Sequence, residues 1–519
     1  MNKSTTDSNK IKCPQINKSK ASDNNEERGG EEGIDIQHFN IFRFASIVLP
    51  ILTHILAFAV YLIPLYFTLP VESDAVLDEI HIMGPDFADV RGTGPLIDLI
   101  KNDYWGRPMM RRDSHKSWRP FSILTFRWIN SYSWGDKDGN ILKMLFRNRS
   151  DHHIFFHRFV SVMIHATMCE MVSIVSCKLL PSKQKNGWEA LFQRTLTKII
   201  CALHPVHVEA VANTANRPHI IALLISMVVV DDRTNIVFLF IAYAIGLASA
   251  ETFIFQMPAI VLSMILIHWW KHSAHTLKSL QCTFKSLIPR IFIIFALTAC
   301  YLGGRYYFNT LEILHGLIRK AENAFFDLEG LQRYLSFFWV TSIHIGKAFT
   351  IDPIGPAHEY GFDCVKPLND FNDFRLIYPF GIVGLLLVSS FISLRRGLLD
   401  VMIFLVFSSW VATLFPICGI VRIGTFIADR LAVAASFAFC AFFGKTCVII
   451  GRYCQRKSQL IYTFSTIIFI YIAICYKRVH KRTYQWTNNI SLLESGLRTC
   501  PRSAKSNLEM SKIYSGKCS

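Results

Sequence analysis

Charge is the first thing this sequence lacks. Only 18% of its 519 residues are Asp, Glu, Lys or Arg, against 51% hydrophobic residues, and the mean hydropathy is +0.30. So apolar a chain is neither one soluble domain nor a string of them, which leaves the membrane proteins. Acidic charge is the scarcer sign: 38 Asp and Glu face 55 Lys and Arg, a net charge of +17. The basic excess lies in short clusters between apolar runs rather than on one soluble domain, so it marks orientation in a bilayer and not nucleic-acid binding. Fourteen cysteines are spread along the chain, the closest spacings being Cys440, Cys447 and Cys454, and no Cys-x-x-Cys pair occurs. Neither a zinc site nor a disulfide framework is expected.

What is present is a series of long apolar runs. Residues 1–38 are rich in Asn, Lys, Ser, Glu and Gly and precede no small-residue cleavage site, so they read as a disordered cytosolic tail followed by a retained helix. A membrane span needs roughly 20 apolar residues, which predicts about eleven helices, near 41–69, 153–180, 190–204, 216–230, 234–250, 253–270, 289–308, 376–394, 399–416, 425–446 and 459–476. Together they form a membrane domain over 39–478, with residues 479–519 following it. Lys178 to Lys198, Lys271 to Lys285, Arg395 with Arg396, and Lys445 to Lys457 fall in alternate loops, as expected if these loops and the N-terminus are cytosolic. The other side then receives residues 70–151, 204–217, 309–375 and the C-terminus, including the sequon Asn489-Ile490-Ser491. Lys477, Arg478, Lys481 and Arg482 break this pattern and are expected to be surface charge.

The long segment after the first helix contains Leu77-Asp78-Glu79-Ile80-His81, a carboxylate pair set among apolar residues close to the membrane. A group that serves a lipid-linked substrate has to sit there, and an oriented Asp can accept the proton of an attacking hydroxyl. The plainer reading is a solvated acidic loop, because Glu72, Asp74, Asp86 and Asp89 lie nearby. Further on, Ser114-His115-Lys116-Ser117-Trp118-Arg119-Pro120 suits an interfacial helix or phosphate recognition. His204-Pro205-Val206-His207-Val208-Glu209-Ala210, with Asn216-Arg217, makes a polar island in an apolar stretch, as do Asp429-Arg430 and Glu251 on a smaller scale. Ionisable groups at membrane depth point to function by default, with an ion pair or helix anchor as the alternative. His204-x-x-His207 has metal-ligand spacing, but no third ligand accompanies it, so no metal is expected.

These segments resemble a known family, the transmembrane and tetratricopeptide-repeat-containing protein O-mannosyltransferases of the GT-C fold. The resemblance rests on Asp89-Val90-Arg91-Gly92-Thr93-Gly94-Pro95-Leu96 with Asn102-Asp103-Tyr104-Trp105-Gly106 and the Ser114–Pro120 segment. It rests also on His204–Val211 with Arg217, and on Ala428-Asp429-Arg430 where the family usually has Glu-Arg. Residues 484–516, with Trp486, Leu492-Leu493, Gly496, Pro501, Ala504 and Tyr514, look like the start of the repeat region, here incomplete.

The resemblance implies an all-α polytopic protein of the endoplasmic-reticulum membrane, N-terminus cytosolic and C-terminus luminal. It implies transfer of mannose from dolichyl-phosphate mannose to Ser or Thr hydroxyls of secretory or membrane proteins, with inversion, no cofactor and no metal. The family's acidic pair falls beside Asp78 and Glu79, which makes Asp78 the expected base and Glu79 its partner, with Asp74 the runner-up. Donor-phosphate or cleft residues are then expected among His115, Lys116, Arg119, His204, His207, Glu209, Arg217 and Arg430. The rival expectation is an inactive membrane scaffold that binds partners through its luminal repeat region. A transporter is more distant, because no symmetry of broken helices is evident.

Overall fold

The computed structural model describes residues 32–67, 75–80, 87–133, 152–182, 187–308, 323–325, 327–358, 360, 364–418, 425–455 and 458–516. Asp74 and Asn17 fall outside them. Among the described residues the regular elements are all helical. The first part of the bundle holds α1 (Glu32–Phe67), the short α2 (Ala88–Arg91) and α3 (Asp98–Lys101), α4 (Pro120–Ser133), α5 (His152–Leu179), α6 (Trp188–Ala202), α7 (His207–Ala212), α8 (Arg217–Val230) and α9 (Ile236–Leu247). After these come α10 (Met257–Trp269), α11 (Leu277–Tyr307), α12 (Gly330–Ala348), α13 (Ile377–Arg396), α14 (Leu398–Val411), α15 (Ser436–Cys454), α16 (Ser458–Gln485), α17 (Asn489–Thr499) and α18 (Ala504–Tyr514).

Among the described residues, 8 helical stretches are long and apolar enough to cross a membrane. They are Ile41–Leu65, Ile154–Leu179, Glu251–Trp269, Leu277–Tyr307, Phe374–Arg396, Leu398–Pro416, Ser436–Cys454 and Gln459–Gln485. Every expected span lies on a helix, yet three of them are too short to count. Thr214–Val230 and Ile236–Leu247 are shorter apolar helices. The expected span at 190–204 is α6, a 15-residue helix that buries Gln193, Thr197 and Lys198 beside Leu196 and Ile200. The span expected at 425–446 starts later, at Ser436, because Asp429–Ala432 form a tight 3₁₀ turn ahead of it. Residues 309–375, read as a loop, contain the 19-residue helix α12.

The main core joins α1, α5, α6, α8, α10, α14 and α15 around residues such as Tyr61, Val172, Ile200, Leu223, Met264, Trp410 and Phe437. Lipid removes most of the hydrophobic difference between helix–helix and helix–lipid contact, so close approach at small residues does much of the packing. Gly444 of α15 shows this: a Cβ there would lie 2.9 Å from the Gln193 carbonyl of α6. Large apolar side chains on the outer faces, such as Ile51 and Ile55 of α1, Phe292 of α11 and Leu385 and Phe391 of α13, remain exposed. In a chain with these spans they face acyl chains rather than water.

The segments outside the spans have cores of their own. Val90, Leu99, Tyr104, Ile123, Phe126 and Ala215 form one, and α12 builds another with Phe325, Trp339, Val340, Tyr360 and Phe426. A disulfide, Cys364–Cys500, ties this second core to α17 with Cα atoms 5.0 Å apart. The expectation of no disulfide is thereby corrected: the two cysteines are separated by 136 residues, and no local spacing signals such a pair. Arg482 is likewise not surface charge. It is buried, and it donates to Gln485 Oε1 and Ser495 Oγ, so that it docks α17 on the end of α16.

Candidate active site

The loops expected on one side of the membrane do meet at one end of the bundle. Thr214 N–H donates to Glu79 Oε1 at 2.8 Å, Tyr104 OH to the Ala215 carbonyl at 2.7 Å, and Arg119 Nε to Glu251 Oε2 at 2.7 Å. The basic loops gather elsewhere and pair among themselves: Lys178 with Asp231 and Asp232, Lys271 with Asp232, and Arg452 with Glu189.

Asp78 and Glu79 are neighbours with opposite fates. Glu79 is fully buried and forms an ion pair with Arg158 of α5 at 2.7 Å, and it also accepts from the N–H groups of Val76 and Thr214. Every oxygen of this carboxylate is occupied, as a buried charge requires. Asp78 is half-buried, and among the described residues no hydrogen bond or ion pair engages its carboxylate. Residues 75–77 are clamped a second time. Leu77 N–H donates to Asn489 Oδ1 at 3.1 Å, and Asn489 Nδ2 donates to the Ala75 carbonyl at 3.2 Å. Leu77 has φ +50°, a left-handed conformation that costs a non-glycine residue roughly 1–2 kcal/mol and persists where surrounding contacts enforce it. Asn489, the sequon residue, is here a packing residue.

Tyr104, 4% exposed, lies within electrostatic reach of Asp78, with the Arg119 guanidinium 4.8 Å from its ring. Burial pushes the Tyr104 hydroxyl well above the ordinary tyrosine value; the charges of Arg119 and Arg217 oppose this, and those of Asp78 and Glu251 reinforce it. Asp78, Arg119 and Glu251 therefore act on one spot. Burial works against the charge of Arg119, but Glu251, Tyr104 and Tyr301 together outweigh it and raise the guanidinium pKa. His219 of α8 is within electrostatic reach of both Arg119 and Arg430, which joins the second arginine to the first. Arg430 pairs with Glu209, whose Oε2 also accepts the Arg430 backbone N–H at 3.0 Å. Arg119 and Arg430 keep side-chain exposures of 20% and 19%, enough to present one edge outward.

Other expected site residues are turned inward. Lys116 is 4% exposed, and its Nζ is committed to the Met109 carbonyl at 2.6 Å. Arg217 is fully buried, donating to Ser161 Oγ, Thr125 Oγ1 and the His157 carbonyl, with its guanidinium 4.8 Å from the Phe126 ring. Both are already satisfied, and a phosphate could recruit them only by breaking these bonds. His204 and His207 are sealed in the core. His204 Nε2 contacts the Ala348 carbonyl at 3.0 Å, while His207 contacts His165 and Ser436 Oγ. Among the described residues no group of His, Cys, Asp and Glu is arranged to hold a metal ion. His115 is exposed, its ring 6.0 Å from that of Trp105.

Several contributors escaped the sequence. Asp103, fully buried, accepts from Ser114 Oγ and from the N–H groups of Trp105, Arg107 and His115, and so ties the Arg119 segment into a knot. Lys347, 1% exposed, bridges Asp352, Tyr360 and Asp429 at 2.9–3.0 Å. Arg158 had a signal, an arginine inside an apolar run; Asn489 was visible only as a sequon, and His219 had no signal beyond its polarity.

The fold and this end of the bundle define a polytopic α-helical membrane protein with an acidic residue and two arginines grouped at one end. The chain is similar to proteins named protein O-mannosyl-transferase. It is 23% identical over 436 residues to a protein O-mannosyl-transferase of Caenorhabditis elegans, covering 82% of this chain and 55% of that one. Human protein O-mannosyl-transferase TMTC4 is 23% identical over 481 residues, covering 83% and 60%. Over 130 residues, 25% of this chain, the identity to Drosophila melanogaster protein O-mannosyl-transferase Tmtc1 reaches 35%, covering 12% of that protein. The chain thus spans between 55% and 60% of the length of the first two. No family model matches it.

Proposed function

We propose that this chain is a protein O-mannosyltransferase of the endoplasmic-reticulum membrane. It takes mannose from dolichyl-phosphate mannose and places it on Ser or Thr hydroxyls of proteins in the lumen. The acceptor oxygen attacks the anomeric carbon from the face opposite the phosphate, the bond from that carbon to the phosphate oxygen breaks, and the configuration inverts. The hydroxyl proton passes to Asp78, and dolichyl phosphate departs with the bonding electron pair. Arg119 and Arg430, with His219 between their fields, are the groups that would stabilise the charge growing on the phosphate. This set is narrower than the one expected from sequence, because Lys116, Arg217, His204 and His207 have their partners inside the protein.

The observation that carries the proposal is the pairing of fates at 78 and 79. One carboxylate is locked by an arginine and two peptide N–H groups, and its neighbour, which meets no hydrogen-bond partner among the described residues, acts with Arg119 on Tyr104. The names of the relatives support the reaction class. The Cys364–Cys500 bridge at the same end supports the luminal side, because such bonds persist in oxidising compartments.

The test is mannose transfer from dolichyl-phosphate mannose to a Ser/Thr peptide by the purified chain. Asp78→Asn keeps size and hydrogen-bonding capacity and removes the base, so transfer should slow by about 10²–10⁴-fold with membrane insertion unchanged. Asp74→Asn should do much less. A greater sensitivity at Asp74 would move the base to that residue. An otherwise active preparation indifferent to both changes would end the mechanism, and a chain with no transfer under any condition would favour the scaffold.

A further inference from the structure

The Asp78 segment is short, has a left-handed leucine immediately before the acid, and is anchored from three separate parts of the chain. Arg158 on α5 and the Thr214 N–H ahead of α8 hold Glu79. The third anchor comes from the far end of the sequence: the Asn489 side chain accepts from Leu77 N–H at 3.1 Å and donates to the Ala75 carbonyl at 3.2 Å, across separations of 412 and 414 residues. These groups belong to the two successive peptides on either side of Val76, and Leu77, the residue with φ +50°, carries the chain from them into Asp78. A primary amide fits this task because it carries a donor and an acceptor on one planar group.

Asn489 is itself well held. Asn488 Oδ1 caps α17 by accepting from Ser491 N–H at 2.8 Å, and Ser491 Oγ donates to the Gln485 carbonyl at 2.8 Å. Thr499 Oγ1 donates to the Pro356 carbonyl, and Cys500 closes the disulfide with Cys364. The C-terminal helix pair is thus fastened at both ends of α17 to the same end of the bundle as the site. Its free polar group is spent on the backbone that presents Asp78.

We infer that Asn489 is a positioning residue for the Asp78 carboxylate, and that the C-terminal helix pair sets the geometry of the proton-accepting group. This rests on the reading of Asp78 as the base. Asn489 touches no reacting atom. It fixes the Leu77 peptide, and with it the direction in which the next side chain leaves the backbone, a placement whose loss by about 1 Å is enough to cost on the order of 10²-fold in rate.

The test is a double-mutant cycle on the full chain, with mannose transfer to a peptide as the readout. Asn489→Leu, which removes both polar functions at similar volume, should lower kcat at least about tenfold with the KM for dolichyl-phosphate mannose nearly unchanged. Asn489→Asp, which retains the acceptor for Leu77, should fall between it and the parent. In the Asp78→Asn background, Asn489→Leu should have almost no further effect, because the group it positions is gone. Multiplying effects, or a kcat unchanged by Asn489→Leu, would overturn the inference. An Asp78→Asn variant as fast as the parent would overturn the reading beneath it and the inference together. Hydrogen exchange keeps the matter decidable if Asn489→Leu folds poorly: in Asn489→Asp the peptide covering residues 75–80 should exchange faster than in the parent while the peptides of α5 stay protected. Equal exchange in both proteins would mean that Asn489 does not hold the segment.

Discussion

The two ends of the helix bundle handle charge differently. At the basic end, Lys271 pairs with Asp232 and Arg452 with Glu189 through side chains that are 44% and 40% exposed on the cationic partner. Water can replace either partner there. At the other end, Arg158 and Glu79 are 2% and 0% exposed, and Lys347 is 1% exposed among three oxygen partners. Desolvated charges of this kind are costly to place and costlier to orphan. The comparison teaches where geometry is being enforced: exposed pairs such as Lys271–Asp232 need only sign, whereas desolvated ones such as Arg158–Glu79, and Lys198 with Glu170 at the basic end, need particular atoms at particular distances.

The comparison is broken most severely at Arg158. Arg158→Met leaves Glu79 buried without its countercharge, which should destabilise the protein by about 3–5 kcal/mol, seen as loss of monodisperse material in detergent. Replacing both partners, Glu79→Gln with Arg158→Met, should recover much of that stability while transfer stays slow, because the Asp78 segment has lost one anchor.

An intermediate effect is expected from pH. His358 lies against α17, 8% exposed, and burial, then the charges of Arg482 and Lys505, bring its pKa down to about 3. The folded state therefore binds its proton less readily than the unfolded chain, where the value is about 6.5. Stability from a neutral His358 is complete above about 6.5 and drains away as the pH falls toward 3. At pH 5 the loss should be about 2 kcal/mol, or roughly 30-fold in the opening of the C-terminal helix pair, measured by limited proteolysis of residues 488–516. His358→Gln should remove most of this dependence. A helix pair equally resistant at pH 7 and pH 5 would show that the His358 site opens by another route.

The smallest effect belongs to the basic end. Lys271→Ala should change stability by less than about 1 kcal/mol and become undetectable in high salt. A larger loss would mean that the basic end is also a built structure, and the contrast between the two ends would fail.

Length and polarity made most of this legible in the sequence. Each long apolar run is a helix, and the ion pairs Lys178–Asp232, Lys271–Asp232 and Arg452–Glu189 join residues of the basic loops to acids near them in space. Helix α12 was missed because its apolar residues line one side of a core outside the bilayer pattern, and the sequence shows no run long enough to announce it. For the site, the location was readable and the roles were not. Asp78 and Glu79 look interchangeable as letters; what separates them is Arg158, 79 positions away, and Asn489, more than four hundred away. Lys116, Arg217, His204 and His207 were read as a polar island facing the substrate because their charge and spacing say nothing about which carbonyls and hydroxyls they will meet.

The Cys364–Cys500 bond changes what it means for this chain to be continuous. The bond spans the interval that contains α13, α14, α15 and α16, so the last four membrane helices form a closed covalent ring with α17 at its clasp. A backbone break in any turn between those helices leaves both fragments joined as long as the bond is oxidised. The C-terminal pair, and Asn489 with it, stays tethered to the bundle by two independent routes, one through the peptide chain and one through sulfur.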